Sequence, residues 1–223
     1  MIPFTLLLAC NNSTKDTSIQ PNVDAIVTLL SLNNRPQIEI PVMSYFDYET
    51  RLTEENGTTT VPISPNQPFI ITAEENDSLV HRFTGIATDK NLALDALFLD
   101  RGSWQSMLAN QNISEEIGVG HLWVAIVNSN FLAVEGASAT LTSGDSATPF
   151  VLLQTNVPWS TNTLEPDGRE WVFFPNIQPQ EVTVSISAPN NQPCAVFAGG
   201  ETSNLYSTTI YANTASILWM ICT

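Results

Sequence analysis

Glycine and proline recur roughly every eight to twelve residues along this chain, and the stretches between them are rich in Val, Ile, Thr, Phe and Tyr, a spacing that signals an all-β sandwich rather than β-α-β units. Such side chains are stiff or broad and fit a pleated, half-buried surface. The pattern predicts strands over 25–32, 37–45, 58–63, 69–73, 79–87 and 91–99, the last of which also reads as a short helix. After a break it predicts strands over 121–127, 138–142, 150–154, 170–174, 181–188, 195–198, 205–211 and 216–222. Between the two groups, residues 103–110 (SWQSMLAN) are helical in pattern, with Ser103 as cap and Trp104, Met107 and Leu108 at i, i+3 and i+4. The break puts a domain boundary near Glu115, giving a first β-sandwich over 23–114 and a second over 115–223.

Two turn signals stand out. Asn56-Gly57 precedes Thr-Thr-Thr-Val-Pro-Ile, and Thr163-Leu-Glu-Pro-Asp-Gly168 precedes an aromatic strand. Pro166 presets φ, Asp167 tolerates left-handed geometry, and Gly57 and Gly168 supply positive φ without steric cost, so each signal predicts a hairpin. One such turn in each half also suggests an internal duplication.

Seven basic against twenty-two acidic residues give a formal net charge of −15, which repels nucleic acid and excludes it as a partner. Charged residues are only 13% of the chain, so Asn, Gln, Ser and Thr supply the polar surface.

Leu7-Leu8-Ala9-Cys10 resembles the lipobox of bacterial lipoproteins, in which an apolar run and a small residue precede the cysteine that becomes lipidated. The resemblance implies a signal segment over 1–10, lipid attachment at Cys10, a flexible tether over 11–22, and anchorage to an outer membrane or cell surface of a bacterial envelope. About 210 residues then remain, enough for one large or two small cores, with no further apolar run near the eighteen or so needed to span a bilayer. Assigning Cys10 to lipid leaves Cys194 and Cys222 as a possible disulfide in an oxidising compartment, two buried free thiols being the alternative.

The order Val134-Glu-Gly-Ala-Ser-Ala-Thr-Leu141, Thr163-Leu-Glu-Pro-Asp-Gly168, Val172-Phe-Phe-Pro-Asn-Ile177, Val182-Thr-Val-Ser-Ile186 resembles the carboxypeptidase regulatory-like domain, a prealbumin-like (transthyretin-like) β-sandwich. It covers residues 118–187 best, and 52–87 more loosely. The resemblance implies two prealbumin-like antiparallel β-sandwiches in tandem, forming a rigid, non-catalytic accessory module.

Catalytic chemistry is sparse. His81 and His121 have no ligand at a metal-binding spacing, there is no G-x-S-x-G elbow, and the Tyr/His motif of the sandwich-fold intradiol dioxygenases is missing, so no cofactor or metal is predicted. Glu54-Glu55, Glu74-Glu75 and Glu115-Glu116 read as solvated loop charge, and Glu74-Glu-Asn-Asp77 lacks the ligand spacing of a calcium loop. Of five tryptophans, Trp123, Trp171 and Trp219 fall in apolar strands, while Trp104 and Trp159 are the candidate exposed platforms for a glycan or protein ligand. The sequence therefore predicts no enzyme but a lipid-anchored envelope or surface protein serving adhesion, scaffolding or ligand binding. The alternative is an exported carbohydrate-active hydrolase with carboxylates at the domain junction.

Overall fold

The computed structural model of the protein describes residues 22–74, 79–143, 148–153, 158–166, 168–197 and 205–223. The first group of strands is β1 (Val23–Leu30), β2 (Pro41–Ser44), β3 (Thr50–Leu52), β4 (Thr58–Ile63), β5 (Pro68–Ala73), β6 (Val80–Ile86) and β7 (Leu92–Leu97). Helix α1 (Arg101–Asn110) follows. The second group is β8 (Gly120–Asn128), β9 (Ser138–Ser143), β10 (Phe150–Leu153), β11 (Pro158–Trp159), β12 (Gly168–Ile177), β13 (Glu181–Ser187), β14 (Cys194–Val196), β15 (Leu205–Thr209) and β16 (Thr214–Cys222).

Burial along each strand explains where it lies. β1 alternates buried and exposed residues, as a strand covered on one face does. β8 is buried at eight successive positions, and β16 at six, the signature of strands covered on both faces. These two lie at the heart of a ten-stranded central sheet ordered β11-β10-β12-β8-β16-β6-β5-β2-β3, with β14 also paired to β16. Two three-stranded sheets, β4-β1-β7 and β15-β13-β9, are the others among the described residues.

The faces of the central strands divide between two cores. Trp123, Ala125 and Val127 of β8, Trp171 and Phe173 of β12, and Ile217 and Trp219 of β16 join the strands of the first outer sheet and Trp104 of α1. Leu122, Val124, Ile126, Val172, Leu218 and Met220, on the opposite faces, join Val182, Val184 and Ile186 of β13. One core is aromatic and the other mostly aliphatic.

The chain is mainly β with one helix, as predicted. The layout is not two antiparallel sandwiches: β1 pairs with β7 in parallel, and β16 pairs in parallel with both β6 and β8. A strand apolar on both faces needs cover on both sides, and only an interior place in a shared sheet gives it. The position near Glu115 falls between α1 and β8, and the pairing of β16 with β6 crosses it.

The Asn56-Gly57 turn forms, with Gly57 at φ 75° and the Asn56 side chain accepting from the Thr58 amide at 3.0 Å. A Cβ on Gly57 would stand 2.8 Å from the Leu29 carbonyl oxygen, so the turn also packs tightly on β1. Gly57 N to Glu54 O at 2.8 Å and Glu54 N to Thr58 O at 2.9 Å close it as a hairpin would, but the pairing goes no further. β3 pairs with β2 in the central sheet and β4 with β1 in an outer one, so the turn carries the chain between layers. Gly168 opens β12 beside Asp167, which lies outside the described residues, as do Cys10 and all of 1–21, and Glu75-Asn76-Asp77.

Helix α1 begins earlier than predicted, because Asp100 rather than Ser103 is its cap: the carboxylate accepts from the Ser103 amide at 2.8 Å and from its hydroxyl at 2.6 Å. Trp104, Met107 and Leu108 are its buried face, as expected. Within 91–99 the chain forms a strand, Leu92–Leu97, rather than a helix, and 37–40 drop out of β2 because Glu39 sits at φ 59°, which breaks an extended run. Seven of the ten non-glycine residues with positive φ among the described residues are asparagines, so amide side chains serve turns as well as strand faces.

Cys194 and Cys222 are directly opposed on β14 and β16 and joined by a disulfide, S–S 2.05 Å.

Candidate ligand-binding cleft

The two tryptophans singled out from sequence part company. Trp104 is fully buried, packed 5.3 Å from Trp123 with its indole Nε1 3.3 Å from His121 Nε2, so it offers no exposed platform. Helical periodicity that turned it inward is the physical reason. Trp159, on the two-residue edge strand β11, is 55% exposed. Trp123, Trp171 and Trp219 are in the aromatic core.

Both histidines are buried. His81 Nδ1 donates to the Leu79 carbonyl at 2.8 Å while Nε2 accepts from the Leu99 amide at 3.2 Å, and burial pushes its pKa down to about 3. His121 Nδ1 accepts from the Asn176 amide at 3.2 Å. Burial lowers its pKa to about 4, with the Glu115 carboxylate, 3.7 Å from Nε2, opposing and Arg101 assisting. Glu115 is not the solvated loop charge expected of it. Its side chain is 10% exposed and holds Arg101 at 3.1 Å and Gln105 at 2.9 Å, fastening α1 to the segment before β8. Among the described residues no group of three His, Cys, Asp or Glu side chains is placed to hold a metal ion, and no helix is long and apolar enough to cross a membrane.

A cleft of about 200 Å³ opens where β7, the free edge of the first outer sheet, lies over the aromatic face of the central sheet. One wall is the end of β1 and the turn after it, Leu30 to Asn34, with Asp95 of β7. The other is Arg169, Glu170 and Trp171 of β12, with Trp219 of β16 and Phe131. Drug-sized ligands fill roughly 300–1,000 Å³, so this cleft takes a single ring or a short polar group.

Each wall is fixed locally. The first turn closes through Ser31 N to Arg35 O and Asn34 N to Ser31 O, both 2.9 Å. Arg169 ties it to β12 by donating to the Leu32 carbonyl at 2.6 Å. Phe131 lies 6.2 Å from Trp219 and 5.7 Å from Phe197, and is 50% exposed. It stands at φ 59°, a conformation that costs a bulky residue about 1–2 kcal/mol. Asn128 enforces it: its side chain accepts from the Asn130 and Leu132 amides, and its carbonyl from Phe131 N.

The cleft's polar groups are unevenly used. Glu170 accepts from Trp171 Nε1 at 2.9 Å. Arg169 Nε and Trp219 Nε1 are buried with no hydrogen-bond partner among the described residues. Trp123 Nε1 shares that state. Sequence reasoning missed Phe131, Asp95 and Arg169. The available signal was Asn128-Ser-Asn-Phe131, turn chemistry closing on an aromatic residue.

No family model matches the sequence. No curated protein matches it either. Among solved structures the protein is similar to the Bacillus anthracis TIE protein, with 10% identity, 91% of this chain and 34% of that one covered, and a TM-score of 0.27. It thus spans about a third of that protein's length. It is also similar to the minor pilin of Streptococcus agalactiae, with 8% identity, 90% and 95% covered, TM-score 0.27. The shaft pilin of Lactobacillus rhamnosus GG matches with 9% identity, 91% and 98% covered, TM-score 0.26. Likeness at this level assigns this chain neither a shared fold nor a role.

Proposed function

We propose that this protein is a non-catalytic ligand-binding module of the bacterial cell envelope, held by lipid at Cys10, with a neutral glycan as the ligand of the Phe131 cleft. The observation that carries the reading is the half-exposed Phe131, held at φ 59° on a cleft that also presents the carboxylates of Asp95 and Glu170. The hydroxyls of one sugar ring can donate to such carboxylates. Its apolar face can stack on the half-exposed Phe131. The two carboxylates disfavour an anionic occupant. Leu7-Leu8-Ala9-Cys10 supports the anchor.

Asp95 and Glu170, one from each half of the chain, also support a second reading, a carbohydrate-active hydrolase. One set of measurements separates the two. Screening the protein against neutral oligosaccharides should reveal a ligand that is recovered intact, with Phe131→Ala and Asp95→Asn each weakening binding about tenfold or more. Cleavage products that vanish in Asp95→Asn and Glu170→Gln would establish the hydrolase instead, and variants binding as wild type would remove the cleft from the account. For the anchor, Cys10→Ala should lose labelling by a palmitate analogue, and equal labelling of the two proteins would remove the localisation.

A further inference from the structure

A second surface, sharing no residue with the cleft, carries aromatic rings around a cation. Beyond β2 the chain turns through Tyr45-Phe-Asp-Tyr-Glu49 into β3. The turn is locked by Tyr48 N to Ser44 O at 2.9 Å, Phe46 N to Ser44 Oγ at 3.1 Å and Glu49 N to Asp47 Oδ1 at 3.1 Å. Arg51 closes it from β3, with Asp47 at 2.6 Å. Within this brace Tyr48 is held at φ 59° and is 67% exposed. A bulky residue kept both left-handed and exposed does not serve the core, and strain of this kind gathers at functional sites.

The strained ring is the outer member of a ladder. Tyr48 stacks on Tyr45, with centroids 5.6 Å apart and planes 29° from parallel. The guanidinium carbon of Arg82 lies 5.4 Å from the Tyr45 centroid and 4.1 Å from that of Tyr211. Arg82 comes from β6, and Tyr211 from the approach to β16, where its carbonyl packs directly on Gly120 and accepts from Thr214 Oγ1 at 2.8 Å. No side chain larger than glycine's fits at 120 without moving Tyr211. Tyr45 and Tyr211 are 37% and 41% exposed.

The charge is what makes the ladder specific. Arg51 and Arg101 are ion-paired, whereas Arg82 has no carboxylate within 4.0 Å among the described residues, in a chain with three times as many acids as bases. Such rings attract the guanidinium's charge without using its N–H groups as a carboxylate would, and those donors can fork onto a carboxylate. Exposed tyrosine rings beside it offer an apolar face and a hydroxyl at the rim, which suits a pyranose. We propose that Tyr48, Tyr45, Arg82 and Tyr211 form a binding site for a carboxylated sugar, the ring packing on tyrosine and the carboxylate on Arg82. The site shares no residue with the Phe131 cleft, and the carboxylates that flank Tyr48, Asp47 and Glu49, are both paired with Arg51.

Calorimetric titration of the full chain tests this with three probes: a tetrasaccharide of glucuronic acid, the same tetrasaccharide with its carboxyls reduced, and tetraglutamate. Binding of the glucuronate should exceed that of both controls about tenfold or more. Arg82→Gln should lose that preference, and Arg82→Lys should lose most of it, because lysine keeps the charge but not the planar fork. Tyr48→Gly relieves the left-handed strain, so it should weaken glucuronate binding several-fold while melting no lower than wild type, which keeps the result independent of unfolding. Absence of glucuronate binding, equal binding of the reduced sugar, or an unaltered Arg82→Gln would overturn the site. Tetraglutamate binding as tightly would overturn the sugar and make the ligand an acidic peptide.

Discussion

At the scale of single residues, the two buried histidines tie this fold to neutral pH. Burial holds His81 neutral down to about pH 3 and His121 to about 4, while in the unfolded chain both revert to about 6.5. Their folded pKa values are depressed, so between those limits the unfolded state binds more protons. The stability they contribute is complete above pH 6.5 and drains away as pH falls. Each histidine sets a slope of up to about 1.4 kcal/mol per pH unit in that window. Urea titrations between pH 7.5 and 5 should show the unfolding free energy dropping with acidification, and less steeply in His81→Phe, even though that variant starts weaker through losing its bonds to Leu79 and Leu99. A free energy flat across this range in the wild type would contradict the neutral, buried assignment.

At the scale of elements, β14 is the strand that most needs help. It has three residues, and it takes the flank of β16 that β6 vacates: β6 pairs with β16 as far as Leu218, and β14 with Met220 to Cys222. So short a strand holds little by its own ladder, and the Cys194–Cys222 bridge fixes it. Cross-linking positions 28 apart removes unfolded-chain entropy worth about 3.5 kcal/mol on the chain-entropy model. Cys222→Ser should therefore melt clearly lower than wild type, and the wild-type thiols should resist alkylation until reductant is added. Free alkylation of both in the folded, oxidised protein would rule the bridge out. This pairing was legible in the sequence, as were most strands and the apolar side of α1, because β-branched runs and helical periodicity are local signals. What was not legible was partnership. Asn56-Gly57 has the chemistry of a hairpin and forms its turn, yet a turn fixes only a change of direction, and which sheet receives the next strand depends on faces buried far away. The cleft was hidden for the same reason: Asp95, Phe131 and Arg169 come from three separate segments, and no spacing connects them.

At the scale of the whole molecule, the shared central sheet decides how the protein comes apart. β16 pairs with β6 from before α1 and with β8 from after it, and the aromatic core draws on strands from both sides of Glu115. Two parts joined through a strand buried on both faces cannot lose one partner without exposing that strand. Unfolding should be one cooperative transition, with tryptophan fluorescence and far-ultraviolet circular dichroism giving coincident urea curves. Two resolved transitions would show that the halves unfold separately. The same strand also imposes an order of events on synthesis. A ribosome delivers β6 and β8 long before residues 214–222, so the slot between them stands open while the intervening chain is made. Parallel pairing across so long a separation is slow. The exposed flanks of β6 and β8 are therefore a hazard of the nascent chain until residues 214–222 pair with both.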